Sequence, residues 1–204
     1  MPNGAGDTRS PGSGLTVGVL ALQGAFDLHR HRLEQLGATA PLIRTPTELD
    51  GLDAIVLPGG ESTTMSRLLT TSGLFDDLKG RLIDGLPVLG TCAGMILCAN
   101  DVLDARPDQR GFDLIDITVR RNGYGRQLDS FEADLDVAGL DGSFHAMFIR
   151  APLVERVGPD VEVLARHDGV PVLVRAARCT VAAFHPELTD DVRVHALFLD
   201  SLTD

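Results

Sequence analysis

Residues 87–95 read PVLGTCAGM, an apolar run that stops at a glycine and is followed by a cysteine and a second glycine. The run 86–90 has the length and composition of a strand buried on both faces, as in a parallel sheet. Residues 90–94 match the strand–turn–helix elbow written G-x-S-x-G, with a cysteine at the serine position. The stretch therefore predicts an α/β fold in which Cys92 lies on a sharp turn between a strand and a helix.

Three more apolar runs of strand length precede this elbow, and two helical patterns lie among them. The strand-like runs cover 15–22, 40–44 and 52–60. Apolar residues recur at helical spacing in 24–37 and in 62–85, where Gly73 interrupts the pattern. Strands that alternate with helices indicate a mostly parallel sheet, whose strand ends carry the ligand site.

The pattern changes after residue 110, where apolar and polar residues alternate. We expect further strands, several of them antiparallel, within 112–121, 129–137, 144–152, 161–177 and 179–188. The segment HDGVP at 167–171 predicts a hairpin turn, and 190–202 predicts a last helix. The fold class is thus a three-layer α/β structure with a mostly parallel sheet and additional antiparallel strands.

Composition limits the function classes. The chain has 204 residues, 44% of them hydrophobic and 23% charged, with a net charge of −11. We expect a flexible N-terminal tail over 1–14 and a single domain over 15–204. The acidic charge argues against a nucleic-acid surface, and no apolar run approaches the roughly 20 residues that span a bilayer. The odd count of three cysteines, without metal-ligand spacing, indicates free thiols in a cytoplasmic protein and no metal site.

The elbow has the features of a nucleophile. Its small neighbours permit a strained turn, and the helix that starts after Cys92 directs its positive end toward the sulfur, which favours thiolate. The Ala93 N–H is placed to stabilise an oxyanion. A thiolate nucleophile needs a base and an orienting acid, and His185 with Glu187 two residues later lie on one face of an extended strand.

The other cysteines and histidines of the chain have simpler interpretations than catalysis. Free cysteines are usually small buried hydrophobic residues, and we assign that role to Cys98 and Cys179. The remaining histidines are expected on the surface or in satisfied core positions: His29, His31, His145, His167 and His195. His185 differs from them because an acid follows at the right spacing.

Six ordered blocks carry a family resemblance over residues 15–204. GTCAG with a later HPE resembles the class I (triad) glutamine amidotransferases, which have a flavodoxin-like fold. The fuller set is similar to the glutaminase subunits of pyridoxal 5′-phosphate synthase: GVLALQGAFDLH, LPGGESTTM, GTCAGMI, RRNGYGRQLDSFEADL, FIRAP and FHPELTDD.

The resemblance implies a reaction and a partner. Cys92 attacks the side-chain amide of L-glutamine, ammonia leaves, and water hydrolyses the glutamyl thioester. His185 acts as base and then as acid, and Glu187 orients it. The ammonia passes to a synthase subunit in a large hetero-oligomer, which makes pyridoxal 5′-phosphate from ribose 5-phosphate and glyceraldehyde 3-phosphate. No cofactor is expected on this chain.

The same resemblance implies the groups that hold glutamine. Gly60 supplies a second oxyanion donor beside Ala93. Glu61 and Ser62 meet the polar end of the substrate. Arg121 and Arg150 are candidates for binding the α-carboxylate of glutamine, because arginine binds carboxylates through two parallel hydrogen bonds. Ile149 is also expected in the glutamine site.

Some positions depart from the family or are weakly assigned. Arg120 stands where the family often has an acidic residue, and Tyr124 where phenylalanine is common. Gln23 is placed either near the oxyanion loop or on the partner surface.

Two alternatives remain at this point. One is a glutaminase of another pathway, such as imidazole glycerol phosphate or anthranilate synthesis, which shares the nucleophile and HPE. The other is a noncatalytic relative of the fold, although such proteins often lose the His–Glu pair that this chain keeps.

Overall fold

A computed structural model describes residues 10–121, 123 and 130–202 of the chain. Tyr124 and most of the predicted tail lie outside the described residues. Residues 10–14 form turns, and the Gly12 N–H donates a hydrogen bond of 2.9 Å to the Leu36 carbonyl. The division into a tail and one domain stays a prediction.

The described residues form twelve strands in three sheets. The strands are β1 (Val17–Leu20), β2 (Leu42–Ile43), β3 (Ala54–Leu57), β4 (Val88–Thr91), β5 (Ala99–Val102), β6 (Ile115–Arg120), β7 (Ser130–Asp136), β8 (Ser143–Ile149), β9 (Leu153–Val157), β10 (Glu162–His167), β11 (Val170–Ala176) and β12 (Cys179–Ala182).

The same residues form five α-helices and two short 3-10 helices. The helices are α1 (Phe26–Gln35), α2 (Ser62–Thr71), α3 (Leu74–Ile83), α4 (Ala93–Cys98) and α5 (Arg193–Asp200), and the 3-10 turns are Pro46–Leu49 and Pro186–Leu188. Every helix in this part of the chain is too short or too polar to cross a membrane.

A seven-stranded sheet forms the centre of the molecule, in the order β10-β11-β12-β4-β3-β1-β2. The five strands from β12 to β2 pair in parallel, while β11 and β10 add antiparallel strands at one edge. The predicted mixed α/β class is confirmed. Its central strands read as continuous apolar runs because helices cover both faces.

Alternate residues of these strands point to opposite faces. Val17 and Val19 of β1 pack with Leu33 of α1 and Phe198 of α5 on one face. On the other face, Leu20, Ile55 and Leu57 join the apolar sides of α2, α3 and α4. This period of two along the strands produces the three layers.

Two small sheets complete the fold. β5, β6 and β9 form one, and the antiparallel pair β7–β8 forms the other. The hairpin predicted at 167–171 joins β10 to β11 through Asp168 and Gly169, both at positive φ. Strands β5 and β9 were not predicted from the sequence, because their buried positions do not alternate regularly and their residues do not form a continuous apolar run.

Close contact between α4 and β3 gives a test of the fold. A Cβ atom on Gly94 would lie 2.2 Å from the Leu57 carbonyl oxygen, whereas one on Gly80, in α3, would meet no atom within 4 Å. Gly94→Ala should therefore lower the free energy of unfolding by about 1–3 kcal/mol. The matched control, Gly80→Ala, should raise it by about 0.5–1 kcal/mol, because alanine favours an exposed helix. Urea denaturation measures both, and equal effects of the two variants would contradict the packing described.

Candidate active site

The elbow at Cys92 has the strained geometry that its sequence predicts. Cys92 lies between β4 and α4 with φ 49° and ψ −101°, a conformation that non-glycine residues rarely adopt. Its N–H donates a 2.8 Å hydrogen bond to the Ala182 carbonyl of the neighbouring strand. Gly90 and Gly94 on either side have no space for a side chain, so the turn depends on both glycines.

The sheet order brings His185 and Glu187 to this elbow. Strand β12 pairs in parallel with β4, so Ala182 lies beside Thr91 and the chain continues past the same sheet edge to His185. His185 Nδ1 is 2.8 Å from Glu187 Oε1, and Cys92 is among the groups that raise the pKa of the His185 ring. The three predicted residues thus lie close together. The predicted extended strand is wrong at this point, because β12 ends at Ala182 and His185 leads into the 3-10 turn that contains Glu187.

Charges at this site favour an ion pair. Burial opposes ionisation of Glu187, but His29 and His185 outweigh it and lower the pKa of Glu187 to about 2. Burial likewise lowers the pKa of His185, but hydrogen bonds to Cys92 and Glu187, with their charges, raise it to about 10. At neutral pH the carboxylate is therefore charged and the imidazole is protonated. A cationic ring beside a thiol favours thiolate.

A cleft of about 130 Å³ opens beside Cys92. It is well below the roughly 300–1,000 Å³ of pockets for drug-sized ligands, so it suits a small metabolite. The lining residues are Gly60, Glu61, Ser62, Cys92, Ile96, Arg121, Ile149, Arg150 and His185. Eight of these nine are residues predicted from the sequence, and Ile96 is the addition. Ala93 and Glu187, both fully buried, lie behind the lining.

One wall of the cleft is a preformed ion pair. Glu61 caps α2 by accepting hydrogen bonds from the Thr63 and Thr64 N–H groups at 3.0 and 2.7 Å. Burial opposes ionisation of Glu61, but these bonds and the Thr64 hydroxyl lower its pKa to about 2. Arg121 Nη2 lies 2.9 Å from Glu61 Oε1, so a carboxylate and a guanidinium sit side by side.

Gln109 holds this wall together and was not predicted. Its Oε1 accepts hydrogen bonds from Ser62, Thr63 and Arg121 at 3.4, 3.1 and 3.3 Å. Asp108, the preceding residue, forms a 2.7 Å ion pair with Arg67 of α2. Gln109 belongs to the irregular segment between β5 and β6, where no periodic pattern marks a residue as a site component.

The opposite wall comes from the end of β8. The Cys92 thiol is 3.8 Å from the Ile149 carbonyl oxygen, and Arg150 follows at a positive φ of 44°. This turn points the chain past the cleft and leaves Arg150 exposed at its rim.

Gly60 contributes glycine backbone to the lining of the cleft. Gly60 has φ 148°, within the range that favours glycine, and the Gln23 side chain lies against it. Gln23 therefore lies at the Gly59–Gly60 loop, the first of the two positions considered for it. Its buried Oε1 has no hydrogen-bond partner among the described residues.

Arg120 has a structural partner outside the cleft. Its Nε is 2.5 Å from Glu155 Oε1, and its Nη1 is 3.4 Å from Asp104. These two carboxylates account for the basic residue at this position, and Arg121 alone of the pair faces the cleft.

Comparison with known proteins identifies the family. The family model described as the SNO glutamine amidotransferase family matches residues 19–204. The chain belongs to this family.

Curated relatives match the amidotransferase over nearly its whole length. The pyridoxal 5′-phosphate synthase subunit PdxT of Mycobacteroides abscessus is 59% identical over 90% of this chain and 95% of its own. The protein of the same name from Deinococcus radiodurans is 53% identical over 91% of this chain and 96% of its own. The resemblance seen in the sequence blocks is thereby confirmed.

A solved structure agrees with the fold. A crystal structure described as a glutamine amidotransferase superposes with a TM-score of 0.87 at 46% identity, covering 93% of this chain and 100% of that one. The three-layer fold expected for a class I glutamine amidotransferase is therefore confirmed.

Two buried histidines of this amidotransferase were expected to be ordinary core or surface residues. His29 and His195 are both fully buried, and they contact each other beside Glu187. The sequence signal that could have identified them is their position in the helical repeat. His29 falls on the same helix face as Phe26 and Leu33, and His195 on that of Phe198, so each is a polar residue on an apolar face. His145 has two acidic partners, Asp134 and Glu132 of the neighbouring strand, which contact its ring.

The close approach of Gly59 to His185 gives a test of the site geometry. A Cβ atom on Gly59 would lie 2.4 Å from His185 Cε1. Gly59→Ala should push the ring away from Cys92 and slow alkylation of that thiol at neutral pH, because a cationic neighbour favours the reactive thiolate. Iodoacetamide labelling followed by peptide mapping measures the rate. Gly80→Ala serves as the control, and an unchanged rate in Gly59→Ala would mean that the ring does not activate the sulfur.

Proposed function

We propose that this chain hydrolyses L-glutamine to L-glutamate and ammonia with Cys92 as nucleophile, His185 as base and acid, and Glu187 as the orienting acid. The observation that carries the proposal is the placement of Cys92 and His185 in the lining of one small cleft, with the His185 ring 2.8 Å from the buried Glu187 carboxylate. Membership of a glutamine amidotransferase family supports the same reaction.

The reaction follows from these positions. The Cys92 thiolate adds to the side-chain amide carbon of glutamine, and the His185 imidazolium gives its proton to the amide nitrogen. The C–N bond breaks, ammonia leaves, and a glutamyl thioester remains on the sulfur. His185 then takes a proton from water, which attacks the thioester and releases glutamate.

Oxyanion stabilisation is assigned to the N–H groups of Gly60 and Ala93. Ala93 is the first residue of α4 and follows Cys92 directly, and Gly60 lines the cleft on its other side. Two backbone donors directed at the carbonyl oxygen stabilise the charge that develops on it.

The polar end of glutamine is assigned to the ion-pair wall. An amino acid carries an ammonium and a carboxylate, and Glu61 beside Arg121 presents the complementary charges 2.9 Å apart. Ser62 and the Ile149 carbonyl add polar contacts, and Arg150 at the rim offers a second guanidinium for the α-carboxylate.

The partner proposed is the synthase subunit of pyridoxal 5′-phosphate synthase, in a large hetero-oligomer. The PdxT relatives carry that enzyme's name and span this chain almost completely, which favours this pathway over the other glutaminase pathways. The ammonia then joins ribose 5-phosphate and glyceraldehyde 3-phosphate to make the product. A cytoplasmic location is part of the proposal, and the three free cysteines support it.

The triad is tested by labelling and by graded substitution. A diazo-ketone analogue of glutamine should label Cys92 and abolish ammonia release, while Cys92→Ala should be folded and inactive and should still bind glutamine. His185→Asn removes the base and should lower kcat by about 10²–10⁴-fold. Glu187→Gln keeps the shape and loses only the charge, so its loss should be smaller.

Peptide mapping and ammonia assays measure these outcomes. Cys98→Ala is the control, since it leaves the elbow intact and should keep the label. A label on Cys98 or Cys179 that abolishes activity, or a larger loss in Glu187→Gln than in His185→Asn, contradicts the assigned roles.

Dependence on the partner is tested separately. Gly59 and Gly60 form glycine backbone at which a peptide rotation can present or withdraw the Gly60 N–H at little steric cost. Loss of one oxyanion donor costs about 10²–10³ in kcat in other hydrolases. The isolated chain should therefore release little ammonia at saturating glutamine, and the synthase subunit should activate it strongly.

The assay compares ammonia release with and without the purified synthase subunit. A cysteine-alkylated chain with the same subunit gives the background rate. Full activity of the isolated chain, unchanged by the subunit, would mean that the oxyanion hole is preformed. The proposed control of the Gly60 N–H by the partner would then be wrong.

A further inference from the structure

The Glu187 carboxylate has a second oxygen that the triad does not use. Oε1 accepts the hydrogen bond from His185, while Oε2 lies 3.3 Å from His29 Nε2. Both side chains are fully buried, and Oε2 has no hydrogen-bond partner within the described residues, so the His29 ring at 3.3 Å is a close contact and not a hydrogen bond. A buried charged oxygen requires a donor, because the unpaired state is costly without water.

His29 connects this oxygen to two other parts of the fold. Its Nε2 also lies 3.2 Å from the hydroxyl of Thr91, the residue before Cys92. Its Nδ1 lies 3.0 Å from His195 Nε2, which α5 supplies from the same face of the sheet. One ring of α1 therefore contacts the acid, the strand that carries the nucleophile, and a second imidazole.

Burial favours the neutral form of both rings. Burial lowers the pKa of His29, and the His185 charge adds to this, while the Glu187 charge acts in the opposite direction. Burial and the neighbouring His29 lower the pKa of His195 to about 3, with Arg32 adding to the effect and Glu187 opposing it. Each neutral ring carries one N–H, so its position has to be assigned.

The contacts select one arrangement of these two protons. If His195 Nε2–H donates to His29 Nδ1, the His29 proton sits on Nε2 and points toward Glu187 and Thr91. His195 Nδ1 is then a bare acceptor, which agrees with its having no hydrogen-bond partner among the described residues. The opposite arrangement buries an unpaired N–H on His195 and turns a lone pair of His29 against the carboxylate, and both features are unfavourable.

We propose that His29 is a positioning residue that holds the second oxygen of Glu187, and that His195 fixes the tautomer in which His29 does so. The inference rests on the proposed function, in which Glu187 orients the base. A donor beside Oε2 opposes rotation of the carboxylate, so Oε1 stays directed at His185 Nδ1. Positioning partners of this kind at metal-bound histidines cost about 10–100-fold when removed.

Matched variants of one helix separate positioning from packing. His29→Leu removes the donor at similar size, His29→Gln keeps an N–H near the Nε2 position, and His31→Leu changes an exposed histidine of the same helix. With the synthase subunit present, His29→Leu should lower kcat by about 10–100-fold with little change in KM. His29→Gln should recover most of the rate, and His31→Leu should match the wild type. Thermal melts of each variant report whether the fold is retained.

Nitrogen-15 NMR of the histidine rings gives a readout that is independent of turnover. His29 and His195 should both show the Nε2–H tautomer, and neither should titrate at or above the ordinary histidine value near pH 6.5. A Nδ1–H tautomer of His29, or its titration in that range, overturns the inference. So does a full kcat in His29→Leu when the wild type is active.

Failure of the proposed function has a different signature. If the wild-type chain and its partner release no ammonia from glutamine, the assigned reaction is wrong, and the ring tautomers still decide the hydrogen-bond arrangement. If His29→Leu does not fold, His29→Gln is compared with the wild type instead. A folded His29→Gln variant that loses more than tenfold in kcat contradicts a donor role at this position.

Discussion

A charged carboxylate without exposed surface has to be surrounded by donors, and Glu187 imposes this requirement on the centre of the molecule. Its two oxygens face imidazoles from different parts of the chain, His185 on one side and His29 on the other. Removing any of these groups leaves an uncompensated charge in a dry site, which is far more costly than losing a surface ion pair. The packing of α1 and of the turn after β12 is therefore tied to the electrostatics of the site.

The elbow imposes a second constraint, which is steric. The Cys92 backbone adopts a conformation that side chains disfavour, and the surrounding structure has to keep it there. The hydrogen bond from Cys92 to Ala182 and the two flanking glycines do this without polar side chains. The strain at Cys92 thus follows from the way β12, β4 and α4 pack together, and the same packing places His185 beside it.

Several elements of the fold and of the site could be predicted from the sequence, each for a physical reason. Parallel strands buried on both faces appear as apolar runs, and β1, β3 and β4 were found on that basis although each is shorter than its run. The elbow and the His185–Glu187 pair are local patterns. Contacts between distant residues leave no such pattern. His29 and His195 are 166 positions apart, and Gln109 meets Arg121 through an irregular segment, so neither contact could be derived from spacing.

The position of β12 in the sheet also sets an order of events during synthesis. This strand follows all the others in sequence, yet it inserts between β11 and β4 near the middle of the sheet. A chain that leaves the ribosome from its N-terminus exposes Cys92 well before the residues that contact its sulfur have been made. Long-range pairing of this kind is slow to form, so the nascent chain holds an elbow cysteine without an adjacent imidazolium. The sulfur therefore gains the neighbouring imidazole of His185 only when the last strand closes the sheet.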